Sequence, residues 1–104
     1  MTATATNKSV TLISCTNMAA SGILVQGKQI SDDWQVHAEG CRDLKEMQSI
    51  FGRVARHAFQ KFDSLVAARD NFNAEMGAGG SAGFTDEEGG WDFNRDVSVK
   101  PCCK

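Results

Sequence analysis

His37 and Cys41 stand four residues apart, and Cys102 and Cys103 stand side by side in Pro101-Cys102-Cys103-Lys104. Together they hold three of the chain's four cysteines and one of its two histidines. Thiolate and imidazole are the ligands zinc prefers, and closed structural zinc sites take four at a time. A strand ending at His37, a turn at Gly40 and a helix starting at Cys41 would form a two-ligand knuckle. Cys102 and Cys103 would supply the rest if the last strand pairs beside Trp34–Ala38. His37, Cys41, Cys102 and Cys103 are therefore the candidate metal set. Two facts weigh against it. Zinc sites commonly use Cys-x-x-Cys pairs, and neighbouring residues on a strand point to opposite faces, so one of Cys102 and Cys103 falls out. The plainer reading needs no cofactor: Cys41 is a half-buried helix residue and Cys102-Cys103 an ordinary chain segment. A disulfide from Cys41 to Cys102 or Cys103 is a third reading.

Cys41 also has a nucleophile reading. A cysteine in the first turn of a helix has its thiolate favoured by free N–H groups, and Arg42 adds positive charge. His37 would be its base. Asp43 is badly placed as the orienting acid, and no pattern marks a substrate pocket, so the sequence favours binding over catalysis. Gly77-Ala78-Gly79-Gly80-Ser81-Ala82 fits a dinucleotide pattern by spacing. It comes after a helical pattern instead of a strand and runs into Asp86-Glu87-Glu88, which would repel phosphate.

The scaffold for these groups is legible in the hydrophobic pattern. Val10 to Cys15 and Ile23-Leu24-Val25 are β-branched, apolar runs separated by a small polar stretch, and predict a hairpin. Trp34-Gln35-Val36-His37-Ala38 alternates, with Gln35 and His37 on the polar side. Leu44, Met47, Phe51, Val54 and Ala58 recur at steps of three and four, the stripe of one buried helix. Asp63 or Ser64 caps a second helix with Leu65, Ala68, Phe72 and Met76 inward and Gly77 at its end. One long helix over 41–76 is the alternative, but it puts Lys61 and Glu75 in core slots. Residues 77–90 read as a glycine-rich acidic loop. Trp91 to Pro101 alternates again and predicts a last strand. Residues 1–9 read as a disordered tail and 10–104 as one domain.

The chain has 104 residues, 41% of them hydrophobic and 23% charged, which is ordinary for a globular domain and excludes a disordered one. No apolar run is long enough to span a bilayer, and the run before Cys15 is too short for a signal peptide. A cytosolic, reducing location is the expectation, which favours free thiols or a metal over a disulfide. The net charge of −2 hides a segregation: +3 over residues 41–62, −4 over 63–104 and −1 over 1–40. On the expected first helix, Arg42, Lys45, Arg53 and Arg56 share the polar side opposite the apolar stripe. That face can meet phosphates or an acidic protein surface, and the acidic total favours the protein. A merely solvated face is the bland reading. His57 reads as a surface histidine.

The motifs Trp34-x-Val36-His37-x-x-Gly40-Cys41-x-Asp43-Leu44-Lys45, Asp70-Asn71-Phe72, Gly90-Trp91-Asp92-Phe93 and Pro101-Cys102-Cys103 resemble those of a group of small proteins of mycobacteriophage-like phages that infect actinobacteria. The resemblance covers residues 34–49 and 64–104. It implies expression in a host bacterial cytosol and a role in host takeover or evasion of defence. It carries over no catalytic residue. The chain departs from the group over residues 50–63, where the group often has a strand and this chain reads helical.

The sequence thus predicts an α+β fold: a mainly antiparallel sheet of three to four strands with one or two helices packed on one face. Its expected role is non-catalytic: a phage accessory protein that binds and modulates, or inhibits, a host protein or complex through Arg42, Lys45, Arg53 and Arg56. No membrane association is expected. A zinc-stabilised Cys/His module and a nucleic-acid-binding protein are the alternatives.

Overall fold

Val10–Ser14 forms strand β1, as its apolar, β-branched residues predict, but the predicted hairpin partner is not beside it. In the computed structural model, which describes residues 9–85 and 87–100, the chain turns from Cys15 into a short helix α1, Thr16–Ser21. Met18, Ala19 and Ala20 are sound helix formers, and Gly22 ends the helix at φ 75°, donating its N–H to the Ala19 carbonyl. Leu24–Val25 (β2) then pairs with Lys28–Gln29 (β3) across Gln26-Gly27, whose φ angles are 51° and 75°. Two positive φ values in a two-residue loop make a type I′ turn, and this local closure wins over pairing with β1.

β1 pairs antiparallel on one side with β4, Trp34–Ala38, and on the other with β5, Phe59–Phe62. β4 pairs in turn with β6, Val97–Val99, and this pair is parallel. The order β5-β1-β4-β6 makes a mixed four-stranded sheet within an α+β fold. Two of its three pairings are antiparallel.

The helices cover both faces of the sheet, which corrects the single-faced packing expected from the sequence. Helix α2, Arg42–Phe51, buries Leu44, Met47 and Phe51 in a cluster with Ile13, Cys15, Met18, Val25 and Ile30. Helix α3, Leu65–Met76, buries Ala68 and Phe72 in a second cluster with Val10, Leu12, Val36, Phe93 and Val97. Leu12 and Ile13 are neighbours on β1, so the two clusters lie on opposite faces. Thr11 lies opposite His37 and Ile13 opposite Gln35, so these four share the α2 face. The polar side of β4 is therefore interior: Gln35 is 5% and His37 1% exposed. Alternation that reads as a solvent face is here a second buried face.

Two further elements differ from expectation. α2 stops at Phe51, and Val54 is 84% exposed. Past Gly52 a hydrogen-bonded turn reaches Ala55, a 3₁₀ turn spans Arg56–Ala58, and β5 comes next. β5 supplies the ladder that the outer edge of β1 lacks, a demand that the helical spacing of Val54 and Ala58 does not override. A strand therefore lies within residues 50–63, where the chain reads helical. At the other end only Val97–Val99 is strand, because Phe93–Asp96 forms a short helix α4. Asp92 caps it through Arg95 N–H, and Asn73 Oδ1 on α3 accepts from Phe93 N–H at 2.9 Å. Phe72 meets Trp34 and Phe93 edge-to-face at 5.0 and 5.9 Å. Ser64 caps α3 as expected, accepting from Ala67 N–H at 3.1 Å.

The glycine-rich stretch after α3 is tied back at its ends. Trp91 N–H donates to the Met76 carbonyl at 2.8 Å, and Gly77 bridges Gly90. Of the predicted tail only Ser9 is among the described residues, and its carbonyl accepts from Glu39 N–H at 2.9 Å. No described helix is long and apolar enough to cross a membrane.

Candidate functional site

β4 and the start of α2 bring His37 and Cys41 together. The strand ends at Ala38, Gly40 turns at φ 84°, and Cys41 is the N-cap of α2. His37 Nδ1 lies 3.3 Å from Cys41 Sγ, and His37 Nε2 lies 2.9 Å from Gln35 Oε1. Gln35 Nε2 donates to Asp32 Oδ2 at 3.1 Å, and Lys100 Nζ donates to the same oxygen at 2.9 Å. Parallel pairing of β6 with β4 sets Lys100 there: its N–H donates to the Val36 carbonyl at 3.0 Å.

The donor inventory orders this chain of contacts. Lys100 only donates and the Asp32 carboxylate only accepts. Gln35 must therefore turn its NH₂ to Asp32 and its carbonyl oxygen to His37. That oxygen accepts, so the neutral imidazole carries its proton on Nε2. Nδ1 is left as an acceptor facing Cys41, and the thiol donates to it. Burial holds the His37 pKa below 6.5; the Asp43 carboxylate pulls it back up and the Lys100 ammonium adds to the lowering.

Cys15 is the contrast. It is buried, its Sγ donates to the Ile13 carbonyl at 3.6 Å, and burial pushes its pKa up to about 12. Such a thiol is inert. Cys41 is half-buried, and as the N-cap of α2 its side chain makes no hydrogen bond to the first-turn N–H groups. Asp32, Gln35 and Lys100 also line an open cavity of about 460 Å³ with Lys28, Arg42 and Asp43.

Of the four expected metal ligands, His37 and Cys41 are adjacent, while Cys102 and Cys103 lie outside the described residues. Among the described residues no group of three His, Cys, Asp or Glu side chains is placed to hold a metal ion.

The expected basic face is divided. Arg42 and Lys45 lie in the first turns of α2, and about 14 Å of helix at 1.5 Å per residue separates Arg42 from Phe51. Arg53 lies in the turn beyond Gly52, and Arg56 has left the helical path for the 3₁₀ turn. All four are exposed, and none pairs with a carboxylate among the described residues. The chain's turn at Ala55, φ −134° and ψ 37°, is what breaks the face.

The sequence reading missed Ile50 and Val54, which are 37% and 84% exposed. Ala55 N–H still donates to the Phe51 carbonyl at 2.8 Å, so the backbone keeps its helical course through this turn. Residues 50, 53 and 54 are then neighbours at helical spacing. Gln35 was missed as well, although its place two residues before His37 on a strand puts both on one face. Asp32 and Lys100 carried no signal, being 68 residues apart.

Compared with protein-family models, curated proteins and solved structures, the chain matches none.

Proposed function

We propose that this chain is a non-catalytic phage accessory protein that binds a protein of its bacterial host in the cytosol and alters that protein's activity. The contact surface is the corner at the end of α2: Ile50 and Val54 as the apolar centre, Arg53 and Arg56 as its charged border. One observation carries this reading. Val54 is 84% exposed in the turn after α2, Ile50 is 37% exposed one helical turn before it, and Arg53 and Arg56, next along the chain, have no carboxylate partner among the described residues. Apolar anchors bordered by cations fit an acidic protein surface with apolar spots. They suit nucleic acid less well, because phosphates offer nothing for Ile50 and Val54 to cover. The phage and host context comes from the resemblance of residues 34–49 and 64–104.

The test is affinity capture from a lysate of the bacterial host. The double reversal Arg53→Glu/Arg56→Glu should abolish capture of the partner, while Lys28→Glu on the hairpin should leave it intact. Equal capture by all three proteins would rule the corner out. Treating the lysate with nuclease separates the alternative, because loss of capture on that treatment would mark nucleic acid as the ligand.

A further inference from the structure

We propose that Cys41 is a nucleophilic thiol, activated by His37, that undergoes exchange with disulfides. Strand β4 and the start of helix α2 supply the features that bear on this sulfur. His37 Nδ1 faces it at 3.3 Å with its lone pair, because Gln35 Oε1 takes the Nε2 proton at 2.9 Å. Gln35 is itself held by Asp32, and Asp32 by Lys100, the residue just past β6. Cys41 is the N-cap of the ten-residue helix α2, with Asp43 in the first turn, and its side chain accepts no hydrogen bond from the first-turn N–H groups, so the helix acts on the sulfur only through its dipole. A helix N-terminus favours a thiolate over a thiol. The order thiol, imidazole, side-chain amide is also the one papain-like proteases use, with asparagine in the third place. The site is therefore not a cysteine standing alone.

A disulfide is the substrate class that asks least beyond what is present. Exchange needs a thiolate, a proton acceptor and access, and no oxyanion hole. Cys41 gives its proton to His37 Nδ1, and Sγ attacks one sulfur of R–S–S–R′. The S–S bond breaks, Cys41–S–S–R forms, and R′–S⁻ leaves and takes the proton back from Nδ1. Cys41 is oxidised to the disulfide level and R′ is reduced to its thiol, so electrons and protons balance. Cys15 cannot compete, being buried with its pKa pushed up to about 12.

The experiment treats the full chain, with chelator present, with glutathione disulfide at neutral pH. Peptide mapping then tracks glutathione on each cysteine over time. Cys41 in the folded protein should react at least about tenfold faster than Cys41 in the same chain unfolded in urea. Folded Cys15 should stay unmodified. His37→Gln should bring Cys41 down to the unfolded rate. Gln35→Leu should lower it too, while Gln35→Glu, which keeps an acceptor beside Nε2, should retain the rate. Circular dichroism identifies any variant that has lost its fold. The comparison of folded with unfolded wild type needs no variant. A folded rate at or below the unfolded one overturns the proposal, and so does a fast rate that persists in folded His37→Gln.

Discussion

His37 is the residue where sequence and structure part most instructively. It occupies a polar position of an alternating strand, yet it is 1% exposed and hydrogen-bonded on both ring nitrogens. Its spacing to Cys41 was readable because strand, turn and helix succeed one another locally. Its partnership with Gln35 stems from two-residue strand periodicity, but Asp32 and Lys100 meet only through the pairing of β6 with β4. Burial lowers the His37 pKa below 6.5, and this has a thermodynamic consequence. Above pH 6.5 the imidazole is neutral in both states, and its contribution to stability is complete. As pH falls below that value the unfolded chain takes up a proton first, and stability is lost by up to about 1.4 kcal/mol per pH unit until the folded value is passed. Urea unfolding midpoints should therefore fall between neutral pH and about pH 5. His37→Gln should lose part of that slope. An unchanged slope in the variant would mean that some other group carries it.

Among the elements, α2 and the segment after it are the most informative. The stripe Leu44, Met47, Phe51 is real, and its continuation to Val54 and Ala58 is coincidence of spacing. Apolar periodicity sees only a helix's own face and not the open edge of β1, which draws residues 59–62 into the sheet. The predicted hairpin failed for the opposite reason, because Gln26-Gly27 closes a smaller hairpin within itself. Strands β1 and β4 and helix α3 with its Ser64 cap were legible, since each carries its pattern whole. Gly52 marks the helix end. At φ −57° it does not need a glycine for its backbone, but a Cβ there would run into the Gln48 carbonyl. Helix propensity alone predicts a gain of about 1 kcal/mol for Gly52→Ala. The contact predicts the reverse, a lowered melting temperature, because the last turn must shift to admit the methyl group. A raised melting temperature would show that the turn yields freely.

For the molecule as a whole, the α+β class and the union of the last strand with the tryptophan-bearing strand were within reach of the sequence. Burial of both sheet faces was not. Thr11, Gln35 and His37 alternate as solvent-facing residues do, and only an interior network keeps Gln35 and His37 satisfied beneath α2. The same two-sided packing leaves the end of α2 as a place where large apolar side chains stay outside. A photo-activated cross-linking amino acid in place of Val54 tests the proposed function most directly. A second protein carrying it in place of Val66, on α3 and 53% exposed, is the control. The proposal predicts one dominant cross-linked host protein from position 54 and none from position 66. Cross-links of equal yield from both positions, or from 66 alone, would contradict it.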